Sequence, residues 1–113
     1  MPRDMILQNE TAKTDDGQAL YVAGLGCVGF QVSGTFVGTV SFECTVDGAN
    51  WVSLQTKAMA TKAAAIEATA PGVFQANIGG LTQVRARVSA FTSGKITVNA
   101  FASEHGSVGV LGE

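Results

Sequence analysis

The chain has 113 residues and a net charge of −2, and only 14% of its residues are charged, against roughly 25% in an ordinary soluble domain. This length fits one domain, and the seven scattered Lys and Arg residues form no basic stripe for nucleic acid. We find no secretory signal or apolar run of membrane-spanning length, so we expect a cytoplasmic origin. The low charge favours a surface partly buried against neighbouring subunits.

The first part of the chain reads as strands separated by glycine-rich turns. Residues 1–18 contain one short apolar run at 5–7 (MIL), which we interpret as an N-terminal arm or an edge strand. Strands are predicted at 19–22 and from Phe30 onwards. Residues 24–29 (GLGCVG) match the dinucleotide pattern G-x-G-x-x-G, but the residues that follow are strand-like where a nucleotide site needs a helix. We therefore expect no nucleotide cofactor.

The clearest predicted strand pair lies in the middle of the sequence. Val40, Phe42 and Cys44 alternate with polar residues, an Asp-Gly turn signal follows, and residues 51–54 (WVSL) resume the strand. This pattern predicts a β-hairpin. Whether Trp51 faces the core, an interface or solvent depends on the loop length, because a shift of one residue reverses the two faces. An outward Trp51 could stack on a sugar ring, whereas core or interface packing is the commoner role.

The segment after this hairpin is rich in alanine. By propensity residues 57–70 favour a helix, but they carry no clear apolar stripe and end at a Pro-Gly pair. We predict a loop or a single turn there, followed by a strand near residues 65–69. Residues 73–78 alternate again and predict a strand with one apolar face.

A second hairpin is predicted at the end of the domain. Residues 84–90 and 96–102 each place apolar side chains at alternate positions, and 92–94 (TSG) join them. A three-residue loop with glycine at its last position would pair Val88 with Val98.

Two groups of residues are candidate contacts with other molecules. The predicted hairpin register places Arg85 opposite Phe101 on the outer face, where a cation and an aromatic ring would form a contact patch, although such a face is more commonly solvated. The glycine-rich tail at 104–113 carries three apolar residues, Val108, Val110 and Leu111. A frayed terminus would leave these three side chains nothing to bury against, so we expect the tail to dock on another subunit.

No residue cluster in the sequence supports a reaction, a cofactor or a metal. The single histidine, His105, has no recognisable nucleophile and acidic partner beside it. Cys27 and Cys44 show no paired metal-ligand spacing, and a cytoplasmic origin favours reduced thiols. The Asp residues, including Asp47, fall in turn signals where their side chains cap the backbone. We therefore expect no enzyme, no cofactor and no metal.

The sequence resembles a family of small β-sandwich proteins from tailed bacteriophages. The resemblance covers about residues 28–103 and rests on VSGTFVGTVSFECTVDGANWVSL, followed by APGVFQANIGGLTQVRARVSAFTSGKITVNAFAS. The shared features are a G-T-F-x-G-T-V strand, an S/T-V-D-G-x-N-W-V hairpin, a P-G-x-x-x-x-N stretch and a V-R-A-R-V-S-x-x-T-S-G closing segment.

The expected fold is therefore all-β, an antiparallel β-sandwich or jelly roll of about eight strands. It forms one domain over 1–113, with an N-terminal arm at about 1–18 and a C-terminal tail at about 104–113. The resemblance implies a non-enzymatic virion protein, a capsid decoration (cement) protein that binds the outer surface of the major capsid protein lattice as a homotrimer. Its partners would be the major capsid protein and identical subunits, with neither nucleic acid nor membrane. A neck or tail component and a carbohydrate-binding β-sandwich module are the alternatives.

Overall fold

The structure, a computed structural model, describes residues 3–104, so His105, Val108, Val110 and Leu111 lie outside the described residues. The described residues form eleven β-strands and no helix. In chain order the strands are β1 (Arg3–Thr11), β2 (Ala19–Tyr21), β3 (Cys27–Ser33), β4 (Phe36–Thr45), β5 (Val52–Ser53), β6 (Thr56–Ala58), β7 (Ala64–Ala65), β8 (Glu67–Ala68), β9 (Gly72–Asn77), β10 (Gln83–Gly94) and β11 (Ile96–Ser103).

The strands form two antiparallel sheets that face each other. Sheet A has the order β1-β11-β3-β9-β6-β7, and sheet B has the order β2-β10-β4-β5, with β8 also paired to β4. The all-β prediction is confirmed, while the expected number of about eight strands is too low because β5, β7 and β8 have only two residues each. The part of the chain that the structure describes has no helix of the length and hydrophobicity needed to cross a membrane.

Three phenylalanines join the two sheets at the centre of the core. The ring centroid of Phe42 in sheet B lies 4.8 Å from that of Phe30 and 5.1 Å from that of Phe74, both in sheet A. All three side chains are buried, as the period-two pattern of their strands requires. Each such burial contributes roughly 1.5–3 kcal/mol, so these rings hold the sheets face to face.

The central hairpin and the non-helical alanine-rich segment are both as predicted. Strand β4 pairs with β5, with Cys44 opposite Val52. Residues 57–70 form short strands and turns, and Lys62 there has a positive φ of 65°. The strand predicted at 73–78 is β9, and Ile78 just beyond its end is buried with the other apolar residues of that face.

The predicted closing hairpin is wrong, because β10 and β11 lie in different sheets. Strand β10 pairs with β2 and β4, and β11 pairs with β1 and β3. Val88 therefore lies opposite Val40 and not opposite Val98. The alternation of apolar residues is correct up to Val88, but Ser89 is an extra residue in the pairing with β4, so Ala90 is exposed.

Two glycine-containing connections carry the chain from one sheet to the other. Gly34 lies between β3 and β4, and Gly94 lies at the end of β10, just before β11; their φ angles are +107° and +93°. The connections pack against each other: Lys95 donates its backbone N–H to the carbonyl oxygen of Thr35 at 3.0 Å. A β-carbon on Gly94 would overlap that same oxygen, and one on Gly34 would overlap the carbonyl oxygen of Lys95. Glycine is required at both positions.

The N-terminal strand is fixed by a buried glutamine. Residues 3–11 of the expected arm form β1 at the edge of sheet A, where Gln8 is almost fully buried. Its Nε2 donates hydrogen bonds to the carbonyl oxygens of Asp15 at 3.0 Å and Ala86 at 2.9 Å. Its Oε1 accepts a hydrogen bond from the hydroxyl of Thr11 at 2.6 Å. Since Ala86 belongs to β10, this side chain connects the edge of sheet A to sheet B.

We expect Gly94→Ala to destabilise the fold strongly, because the substitution adds a left-handed backbone cost and a clash with the Thr35 carbonyl. The combined loss should be about 3 kcal/mol or more. Gly24 provides the matched control, since its φ is +86° and a β-carbon there has nothing within 4 Å. Gly24→Ala should lose only about 1 kcal/mol. Urea unfolding of both variants measures the difference, and equal losses would show that the contact between the connections contributes nothing.

Candidate functional site: the outer faces of the two sheets

A cluster of charged side chains lies on the outer face of sheet B. Oε1 of Glu43 on β4 accepts a hydrogen bond from Nε of Arg85 at 2.8 Å and forms an ion pair with Nη2 of the same arginine, also at 2.8 Å. The other carboxylate oxygen of Glu43 accepts from Nε of Arg87 at 3.1 Å and Nη2 at 3.0 Å. Glu43 lies opposite Arg85, and Arg87 is the next residue of β10 on that face. We call these three residues the Glu43 cluster.

Within the Glu43 cluster, the contacts shift the pKa values of Glu43 and Arg87. Burial raises the pKa of the Glu43 carboxyl, but the hydrogen bonds and positive charges of Arg87 and Arg85 outweigh burial and hold that pKa below its ordinary value of 4.5. The hydrogen bond to Glu43 raises the pKa of Arg87. Glu43 is therefore a structural carboxylate at neutral pH and is not available as a proton donor.

Trp51 is half-buried on the same outer face, next to the Glu43 cluster. The guanidinium carbon of Arg85 lies 4.2 Å from the centroid of the Trp51 ring. Leu54, three residues later, is buried in the core, so the loop length sends Trp51 outward. Arg85 already occupies one face of the ring through a cation–π contact.

The hairpin loop before Trp51 is organised by Asp47, as the turn signal predicted. Its Oδ1 accepts backbone hydrogen bonds from Ala49 and Asn50, each at 2.8 Å, and from the hydroxyl of Thr45 at 3.0 Å. The backbone N–H of Asn50 and that of Ala49, followed by the side chains of Asn50 and Thr45, hold the pKa of Asp47 well below its usual range. This carboxylate fixes the loop and is not part of an acid–base pair.

Phe101 lies on the opposite side of the molecule from Arg85, so the predicted Arg85–Phe101 pair is wrong. The error follows from the misassigned hairpin: β11 pairs with β1 and β3, which puts Phe101 between Asp4 and Gly29 on the outer face of sheet A. Arg85 has Trp51 as its aromatic neighbour instead.

A shallow groove of about 400 Å³ crosses the outer face of sheet A beside Phe101. Ile6, Val73 and Phe101, which line it, expose 50%, 40% and 54% of their surface. Between them Gly29 has no side chain, and a β-carbon built there has nothing within 4 Å. Asn99 provides polar atoms at the same face. We call this surface the sheet A groove.

Of the sequence-predicted site residues, the structure brings only Trp51 and Arg85 together, and Val108, Val110 and Leu111 lie outside the described residues. Sequence reasoning missed Glu43 and the sheet A groove. Glu43 is recognisable as an outward-facing strand residue, but its arginine partners depend on strand neighbours that the sequence did not reveal.

The described residues contain no group of three or more His, Cys, Asp or Glu side chains that could hold a metal ion. Cys27 and Cys44 are not joined by a disulfide. Burial raises the pKa of the Cys44 thiol, and the neighbouring Glu43 carboxylate raises it further. The Cys44 thiol therefore stays protonated and packs as an apolar group.

The sequence matches no known family model and no curated protein. Among solved structures, the SPBc2 prophage-derived protein YomS has the same fold, with a TM-score of 0.83 and 13% identity over 90% of this chain and 92% of YomS. The PBSX exported protein XepA also has it, with a TM-score of 0.86 and 17% identity over 90% of this chain and 37% of XepA. The chain thus spans little more than a third of XepA. These likenesses establish a fold that prophage-derived proteins share.

We expect Glu43→Gln to lower stability by about 2 kcal/mol at pH 7, because it removes a carboxylate hydrogen-bonded to two arginines. The folded-state pKa is depressed, so this contribution is present above the unfolded value and is lost as the pH falls from 4.5 through the folded-state pKa. Urea unfolding of both proteins between pH 7 and pH 3 should give a difference that shrinks with acidification. The protonation of Asp47 changes the stability of the wild type and of the variant equally, so it does not affect the difference between them. A difference that stays constant over this range would contradict the assignment.

Proposed function

We propose that this chain is a non-enzymatic structural protein of a phage particle, a decoration protein that binds the outer surface of the capsid shell as a homotrimer. The observation that carries the proposal is the fold, which covers 90% of the chain and 92% of the prophage-derived YomS. The sequence resemblance to small virion β-sandwich proteins over residues 28–103 points in the same direction.

The surface of the molecule suits a role in assembly. Charged residues make up 14% of the chain, and three of them are engaged with one another in the Glu43 cluster. Large apolar side chains remain exposed, among them Ile6 and Phe101 on sheet A and Val37 on sheet B. On a capsid shell the same contact is repeated at every copy of the protein and buries these side chains each time. Contacts that are weak at each site therefore combine to give stable attachment.

The proposed partners are the major capsid protein and identical subunits. The tail residues Val108, Val110 and Leu111 follow β11 in sequence and supply an apolar segment for a neighbouring subunit. A sugar-binding role receives less support, because the guanidinium of Arg85 already stacks on one face of the Trp51 ring. A neck or tail position is the alternative within the virion.

Electron microscopy of particles from the phage that encodes this chain tests the assignment. With an affinity tag at the N terminus, we expect density on the outer shell at positions of three-fold symmetry. Density confined to the neck or tail would replace the decoration role by the alternative. Absence of the chain from purified particles, checked by mass spectrometry against a tagged host protein as control, would contradict every virion role.

Deletion of residues 104–113 tests the docking role of the tail. We expect the truncated protein to keep the unfolding midpoint of the full chain and to occupy the capsid several-fold less, because the apolar contact of the tail is lost. Occupancy is measured by quantitative mass spectrometry of purified particles. Unchanged occupancy would remove the tail from the interface while leaving the virion assignment standing.

A further inference from the structure

Two rows of side chains cross the outer face of sheet A, and their order is the basis of this inference. The strand register aligns β1, β11, β3 and β9 side by side and gives each row one residue from each strand. The first row is Asp4, Phe101, Gly29, Gln75, and the second is Ile6, Asn99, Gln31, Val73. All of these except Gln75 line the sheet A groove.

We infer that this face pairs with the same face of a second copy of the chain, about a two-fold axis that runs along the strands between β11 and β3. Such an axis places β11 against β3 of the second copy, and β1 against its β9. In an isologous contact both copies use the same surface patch, so each residue has to be compatible with the residue that it faces in the other copy. The inference does not rest on the proposed function: it concerns free copies in solution, whereas the homotrimer proposed above is the form bound to the capsid shell.

The apolar residues of the two rows meet each other in this arrangement. Phe101 of one copy lies over Gly29 of the other, where the missing side chain leaves open space for the ring. Ile6 lies opposite Val73 of the other copy. Ile6, Val73 and Phe101 are each at least 40% exposed in the single chain. Because the contact is symmetric, it buries all three side chains in both copies.

The polar residues match as well. The carboxamide of Asn99 faces that of Gln31, and two carboxamides can donate to and accept from each other. Asp4 faces Gln75, whose amide nitrogen can donate to the carboxylate. Lys57 lies next to Gln75 on β6, so its ammonium reaches the edge of β1 beside Asp4 of the second copy. No like charges face each other.

Other placements of the axis match less well. An axis perpendicular to the strands sets Asp4 against Asp4 and Phe101 against Phe101. An axis above β3 sets Phe101 against Gln75 and Asn99 against Val73, which mixes polar and apolar groups. The chosen axis keeps the strands of facing sheets aligned, as packed sheets within about 30° of each other do. The molecule measures 39 × 31 × 22 Å, and its broad face has room for the roughly 800 Å² per partner of a standard interface.

The mass of the free protein tests the contact. We expect sedimentation equilibrium at micromolar concentration to give twice the mass of the 11.6 kDa chain. Phe101→Glu and Gly29→Leu should each weaken dimerisation at least tenfold, the second because a side chain fills the space that the ring needs. Val37→Glu, at a 58% exposed site on sheet B, is the control and should leave the dimer intact. Thermal unfolding of each variant confirms that it is folded.

A monomeric wild-type protein would overturn the inference, as would a trimer or a dimer that persists in folded Gly29→Leu. Removal of residues 105–113 addresses the other possible occupant of the groove. We expect the shortened chain to remain dimeric, and its dissociation to monomers would assign the contact to the tail and overturn the pairing of the two faces.

Cross-linking tests the position of the axis. In one chain Ile6 and Val73 are separated by two intervening strands, roughly 14 Å apart, whereas in the pair they face each other across the roughly 10 Å between packed sheets. Ile6→Cys combined with Val73→Cys should therefore form covalent dimers with a bis-maleimide of about that span. The single variants and the wild type should not form covalent dimers. They carry the same native cysteines and so control for cross-linking through those thiols. Equal cross-linking in the single variants would overturn this axis.

Discussion

The close contact between the two connections that cross from sheet to sheet is the constraint on which the rest of the fold depends. Gly34 and Gly94 each lie where a β-carbon would overlap a carbonyl oxygen of the other connection. Both connections therefore leave their sheets at the same end of the molecule and hold β3 beside β11 and β4 beside β10. The consecutive strands β3 and β4, like β10 and β11, are thereby separated into different sheets, and the three-phenylalanine core fills the space between the sheets.

This arrangement determines what each outer face presents. Sheet B places Glu43 between two arginines, and because each charge there has a close partner, the cluster is a stable polar surface next to Trp51. Sheet A instead presents Ile6, Val73 and Phe101 around a glycine. Positions 29 and 101 both face outward, so their small or apolar character is not required by the core, and the pairing of two copies proposed above makes use of it.

YomS and XepA share this fold at only 13% and 17% sequence identity, so few specific residues are needed to form it. What a sandwich of this kind requires is apolar residues of suitable volume at alternate positions and permissive residues at the turns. The outer faces are free of that requirement. Differences in function among proteins with this fold therefore belong to their outer faces and termini, which the core does not constrain.

The sequence by itself determined the all-β class, the central hairpin with its Asp47 turn, the strand at 73–78 and the absence of a helix in the alanine-rich segment. These features depend on neighbours along the chain, and a period of two shows directly which residues share a face. Only the tertiary structure decided which strands are neighbours. A hairpin and a crossing between sheets have the same alternation on either side of Gly94, and the contact that distinguishes them comes from Thr35, far away in sequence. The partners of Arg85 and Phe101 depended on that choice, because a side chain in a sheet meets whatever the adjacent strand presents.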